Sequence, residues 1–98
     1  EIAVTEPQTK AELRNLEQLP LQKIIALYPK IGLALRENTY AAARNADGNY
    51  VCAGCGEVFP TRTYLQVDHI IPMAKGGLTV QDNLQVLCRT CNMRKSDK

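Results

Sequence analysis

Tryptophan is missing from this chain, and phenylalanine and histidine occur once each. With so few large rings, the core has to come mainly from Leu, Ile, Val and Ala. No apolar run is long enough to span a bilayer, so no transmembrane segment is expected. No charged-then-apolar start of the secretory kind is visible, although a leader already removed would leave no trace. Net charge is small too: the value of +2 permits a nucleic-acid partner without requiring one. There is no repeat of solenoid length and no low-complexity tract. A length of 98 residues sets the expectation of one domain, or a small domain with an extension. The C-terminal half is poor in long apolar runs, so a structural metal would supply stability that its small core does not.

Cysteine, by contrast, is present in a pattern: Cys52-Ala-Gly-Cys55 and Cys88-Arg-Thr-Cys91. Four thiolates at this spacing suit one tetrahedral zinc. Each Cys-x-x-Cys turn offers two sulfurs to one ion. Two such turns close the tetrahedron and leave no open position for substrate, so the metal is read as structural. Disulfides are the alternative in an oxidising compartment, but the two-residue spacing favours a shared metal and a cytoplasmic setting. The site uses every cysteine and leaves His69 free, next to Asp68. Between Cys55 and Cys88 lie 32 residues, more than a minimal zinc ribbon needs, so the insertion has work of its own.

The periodicity predicts helices first. Thr9 and Glu12 fit a capping box for a helix from Lys10 to about Gln18, with Leu13 and Leu16 apolar. Pro20 suits the first turn of a second helix, in which Leu21, Ile24, Ile25 and Tyr28 form one face. Pro29 either interrupts that face or starts a new segment. A third helix is expected from about Lys30 to Asn45, where Ala41-Ala42-Ala43 gives high propensity. Asn45-Ala46-Asp47-Gly48 reads as a stop and turn. Tyr50-Val51-Cys52 then leads into a knuckle at the tip of a short hairpin. Tyr64-Leu65-Gln66-Val67 alternates and ends at Asp68-His69, which predicts a strand. Leu84-Gln85-Val86-Leu87 is its partner, and the chain turns helical from about Arg89. Tyr50 and Tyr64 are expected to pack in the core or beside the zinc.

Taken together, Cys52-x₂-Cys55, Asp68-His69-Ile70-x-Pro72, Gly76-Gly77, Asn83-Leu84 and Leu87-Cys88-x₂-Cys91-Asn92-x₂-Lys95 resemble the HNH endonuclease family. The resemblance covers roughly residues 50–96. It implies a ββα-metal, treble-clef-like module stabilised by zinc at 49–98; with the helical extension that periodicity predicts at 1–48, which the resemblance does not reach, the expected fold class is α+β. The resemblance implies a metal-dependent endonuclease that nicks or cuts DNA, leaving 5′-phosphate and 3′-hydroxyl ends. His69 would be the general base, and Asp68 and Asn92 would hold one divalent cation. Asn83 would fix the loop between the strands and, through it, His69. The family's last histidine is replaced here by Asn92, as in the HNN variant. Oxygen ligands from Asp68 and Asn92 favour Mg²⁺ or Mn²⁺. Arg62, Lys75, Arg89, Arg94 and Lys95 are candidates for phosphate contact, the last two favoured because they follow Asn92 on the helix. The alternative is a non-catalytic zinc-knuckle module that binds DNA or a protein, which would have no need of the full Asp68, His69, Asn83 and Asn92 set. A nuclease domain of a secreted toxin is a third reading. The helices of residues 9–46 are expected to pack on or extend the module and to carry no catalytic residue.

Overall fold

The computed structural model describes residues 10–96. The capping box at Thr9 and Glu12, the side chain of Leu13, and Asp97 and Lys98 lie outside the described residues. Three helices come first: α1 (Lys10–Gln18), α2 (Leu21–Leu27) and α3 (Pro29–Ala42). Pro20 stands just ahead of α2 with extended backbone, one position before the expected first turn. The predicted apolar face buries Ile24 completely, and Leu16 of α1 is also buried. Pro29 starts a new helix, as its first residue, where a missing N–H leaves no hydrogen bond unmade. Among the described residues, no helix is long and apolar enough to cross a membrane.

Helix α3 ends at Ala42, short of the expected Asn45. The cause lies in Asn45 itself. Its side-chain oxygen accepts the N–H groups of Asp47 and Asn49, both at 3.0 Å. This local arrangement competes with the helix for the backbone and turns the chain towards the sheets.

Two small antiparallel sheets follow. Strand β1 (Tyr50–Val51) pairs with β2 (Val58–Phe59), and the first Cys-x-x-Cys turn lies between them. Strand β3 (Leu65–His69) pairs with β4 (Leu84–Cys88) in a ladder running from Leu65↔Cys88 to His69↔Leu84. Helix α4 (Arg89–Ser96) begins directly after β4. The order of two strands and a helix read from the sequence is thus present as β3, β4 and α4.

The core contains Tyr40, Cys52, Leu65, Val86, Leu87 and Cys88, with Tyr50 and Phe59 packed against it. Tyr40 comes from α3, and its hydroxyl donates to the Leu65 carbonyl at 3.0 Å. The helical segment and the strands therefore share one interior. Tyr50 meets Tyr40 edge to face at 6.2 Å between ring centroids. Tyr64 departs from the packing expected of it and is 63 % exposed. It shares parity with Gln66 and Asp68, not with Leu65 and Val67, so alternation places it on the polar side. Helix α4 covers that side: Asn92 donates to the Gln66 side-chain oxygen, and the Lys95 ammonium binds Asp68.

Between β3 and β4 the chain doubles back tightly at Gly77. Its N–H donates to the Pro72 carbonyl at 2.9 Å, and a Cβ added there would lie 1.7 Å from the Ile71 carbonyl oxygen. Only glycine permits that approach. Gly77→Ala is therefore expected to lower stability by about 1–3 kcal/mol, the usual range for overpacking. A urea titration followed by circular dichroism checks it. An unchanged midpoint would mean that the loop relaxes around the new methyl group.

Candidate active site and metal centre

The β1–β2 turn, the end of β4 and the first turn of α4 bring the four cysteines together, with Cys88 closing the strand and Cys91 in the helix. Their sulfurs all lie within 4.8 Å of one another. Cys55 Sγ and Cys88 Sγ are 3.9 Å apart. Sulfurs about 2.3 Å from a common zinc in a tetrahedron would sit about 3.8 Å apart, so the donor set fits that ion. None of the four is joined in a disulfide. Burial opposes ionisation of Cys52. The backbone N–H groups of Cys88, Cys55 and Gly54 outweigh it and bring this thiol down to about 6. Cys88 N–H and Gly54 N–H reach its sulfur at 3.2 and 3.3 Å. Cys91 is pushed up to about 12, by loss of solvent first and then by hydrogen bonds with the sulfurs of Cys52, Cys88 and Cys55. A cluster that stabilises the thiolate of Cys52 and resists that of Cys91 is one that a dication would complete. Gly54 belongs to this centre by necessity, since a Cβ there would lie 2.9 Å from Cys91 Sγ.

The other end of the β3–β4 ladder carries Asp68 and His69. Both are in extended backbone, so their side chains leave opposite faces of the hairpin. They nevertheless line one cleft of about 300 Å³, with Pro20, Pro72, Met73 and Lys95. Being at the last rung of the ladder makes this possible, because no further residue pair separates the two faces. A larger cleft of about 600 Å³, lined by Thr39, Gln81 and Val86 among others, contains neither residue.

His69 Nε2 lies 2.8 Å from the hydroxyl of Thr79. Burial lowers its pKa below the usual 6.5; Asp68 pulls the other way, and Lys95 adds to the lowering. The ring is therefore neutral at pH 7, as a proton acceptor must be. Asp68 Oδ2 receives the ammonium of Lys95, which also donates to the His69 carbonyl. Gln85, its cross-strand partner, donates to the same oxygen at 3.3 Å.

Asn83 sits where the loop returns to β4. Its Oδ1 accepts the Ile71 N–H at 2.9 Å, while its Nδ2 donates to the carbonyls of Ile71 at 3.1 Å and Leu78 at 2.8 Å. Its own carbonyl accepts the Ile70 N–H at 2.8 Å. One side chain thus joins both arms of the loop directly behind His69.

The candidate cations are placed differently from one another. Arg62 makes two hydrogen bonds to Glu37, both 2.8 Å, and stacks over the Tyr40 ring at 4.5 Å. It fastens the start of β3 to α3. Lys95 is turned inward to Asp68, whereas Lys75, Arg89 and Arg94 are exposed. Thr79, Gln66 and Gln85 escaped the sequence reading. The two glutamines had a signal, since strand alternation puts them on the Asp68 face. Thr79 had none: its partners are ten residues away at His69 and sixty away at Leu19.

Residues 52–98, just under half of the chain, match the model of the HNH endonuclease family. No curated protein matches the chain closely enough to count as a relative.

Proposed function

With the HNH match of residues 52–98 as the premise, we propose that the chain is a metal-dependent endonuclease that hydrolyses phosphodiester bonds of DNA. The observation that carries this reading is the cleft at the end of β3, where a neutral His69 and the carboxylate of Asp68 meet. Residues 49–98 are the nuclease module in the ββα-metal sense, and residues 1–48 are its helical extension.

Zinc belongs to Cys52, Cys55, Cys88 and Cys91, and its part is to hold the module together. Asp68 and Asn92 are the ligands for Mg²⁺ or Mn²⁺. Asp68 already draws a positive group, the Lys95 ammonium, to the cleft, which suits a carboxylate meant for a cation. Such a cation supplies charge stabilisation to the scissile phosphate and to the departing 3′ oxygen. His69 takes a proton from the attacking water. Asn83 keeps the loop from Ile70 to Leu78 folded so that His69 meets that water in one orientation. Lys75, Arg89 and Arg94 are exposed and able to meet backbone phosphates, and Lys95 stands at the cleft wall.

Supercoiled plasmid tests the proposal. With Mg²⁺ or Mn²⁺ the purified chain is expected to produce nicked and then linear DNA, and EDTA is expected to stop it. A protein that retards plasmid in a gel but never cuts it would be a DNA-binding module.

A further inference from the structure

Thr79 is buried, 2 % exposed, and its partners decide the state of His69. Its hydroxyl contacts the Leu19 carbonyl, at the chain segment joining α1 to α2, and also His69 Nε2. A hydroxyl has one proton to give, and a carbonyl oxygen can only accept. The proton therefore goes to Leu19. Among the described residues, the Met73 sulfur is a further acceptor, but it is weak and 4.0 Å away. Thr79 Oγ1 is left to accept, so Nε2 of His69 must carry the ring proton. The opposite tautomer would set two lone pairs against each other in a buried place.

The backbone of Thr79 points the same way. Its N–H donates to the Glu17 carbonyl at 2.6 Å. One residue of the β3–β4 loop thus satisfies two carbonyls at the end of α1, the negative pole of that helix.

We infer that α1 is a working part of the active site: the Leu19 carbonyl, acting through Thr79, holds His69 as the Nε2–H tautomer and leaves Nδ1 to take the proton from water. The inference rests on the reading of His69 as the base. The step balances without any other reactant. An O–H bond of water breaks, an N–H bond forms at Nδ1, the hydroxide oxygen bonds to phosphorus, and the 3′ oxygen leaves with the P–O electron pair. The imidazolium so formed keeps its Nε2–H on Thr79, and the carbonyl end of α1 stabilises its charge. Thr79 is a positioning residue and touches no reacting atom. The segment outside the family match thereby acts on chemistry through a backbone carbonyl, and among the described residues it places only the Pro20 side chain in the cleft.

Two variants of the full chain and one spectrum test it. Thr79→Ser keeps the hydroxyl and is expected to cleave plasmid within about twofold of wild type. Thr79→Val keeps the shape and loses the hydroxyl. It is expected to lose about 10- to 100-fold in kcat with KM unchanged, the range seen when an orienting partner is removed. His69 is the single histidine, so a long-range ¹H–¹⁵N spectrum contains one imidazole. Wild type is expected to show a protonated Nε2 and a bare Nδ1. A ring protonated at Nδ1 overturns the inference, as does a folded Thr79→Val with wild-type kcat. Thr79→Ser as slow as Thr79→Val would also overturn it, since packing would then be the cause. Should Thr79→Val fail to fold, the wild-type spectrum and Thr79→Ser still decide. The spectrum needs no cleavage, so it separates failure of this relay from failure of the nuclease reading.

Discussion

His69→Ala is expected to keep its fold and zinc and to bind DNA, yet to cleave plasmid about 10²- to 10⁴-fold more slowly, the usual loss when general-base catalysis is removed. The fold should survive because His69 is half-buried at the end of the ladder and outside the hydrophobic core. Its ring makes one hydrogen bond among the described residues, to Thr79, which keeps Leu19 as a partner. Asn92→Ala should behave differently. Loss of a cation ligand weakens metal binding, so raising Mn²⁺ should restore part of its activity, whereas no metal concentration should restore His69→Ala. Asn92→His should shift preference towards Ni²⁺ or Co²⁺. Wild-type rates from pure His69→Ala protein would end the mechanism proposed here.

Loss of the zinc should have the other large effect. Binding to a four-cysteine site contributes on the order of 10–16 kcal/mol of apparent free energy in small zinc domains, which exceeds the stability of most chains this short. Cys55→Ser is the cleanest variant. Cys55 is exposed, whereas Cys52 and Cys88 lie in the core, so their replacement would remove packing as well as a ligand. Cys55→Ser is expected to purify with less than one zinc per chain and to unfold at markedly lower urea concentration. Metal analysis and a denaturation curve check both. A folded, reduced wild-type sample without zinc would show that the cluster needs no metal.

The four-cysteine cluster was legible because each half of its signal is local: two Cys-x-x-Cys pairs at fixed spacing bring their sulfurs together. The β3–β4 hairpin was legible for a similar reason, since Leu65, Val67, Val86 and the polar residues between them alternate with the period of a strand. The hydrogen bonds of the Asn83 side chain span the β3–β4 loop, but their partners at Ile71 and Leu78 are set by how the loop folds back. The start of α3 at Pro29 and its end at Ala42 were less legible. Propensity alone carries Ala43 onward as helix, and only the Asn45 turn, held by backbone contacts to Asn49, overrides it. Arg62 looked like a phosphate contact from its charge. Its placement against Glu37 and Tyr40 depends on how α3 packs, which no local pattern encodes. Thr79 is the extreme case, being meaningful only once residues sixty positions apart have met.

The β3–β4 ladder also acts as a spacer. Cys88 pairs at one end and His69 at the other, and four steps of about 3.3 Å set them about 13 Å apart. Screening in physiological salt acts over about 8 Å. Four thiolates around one dication leave an excess of negative charge that would repel a phosphate backbone if it stood beside the cleft. Under the proposed function, five rungs of sheet would keep that anionic clasp clear of a phosphate backbone at the cleft, so a chain stapled by sulfur at one end would still receive a polyanion at the other.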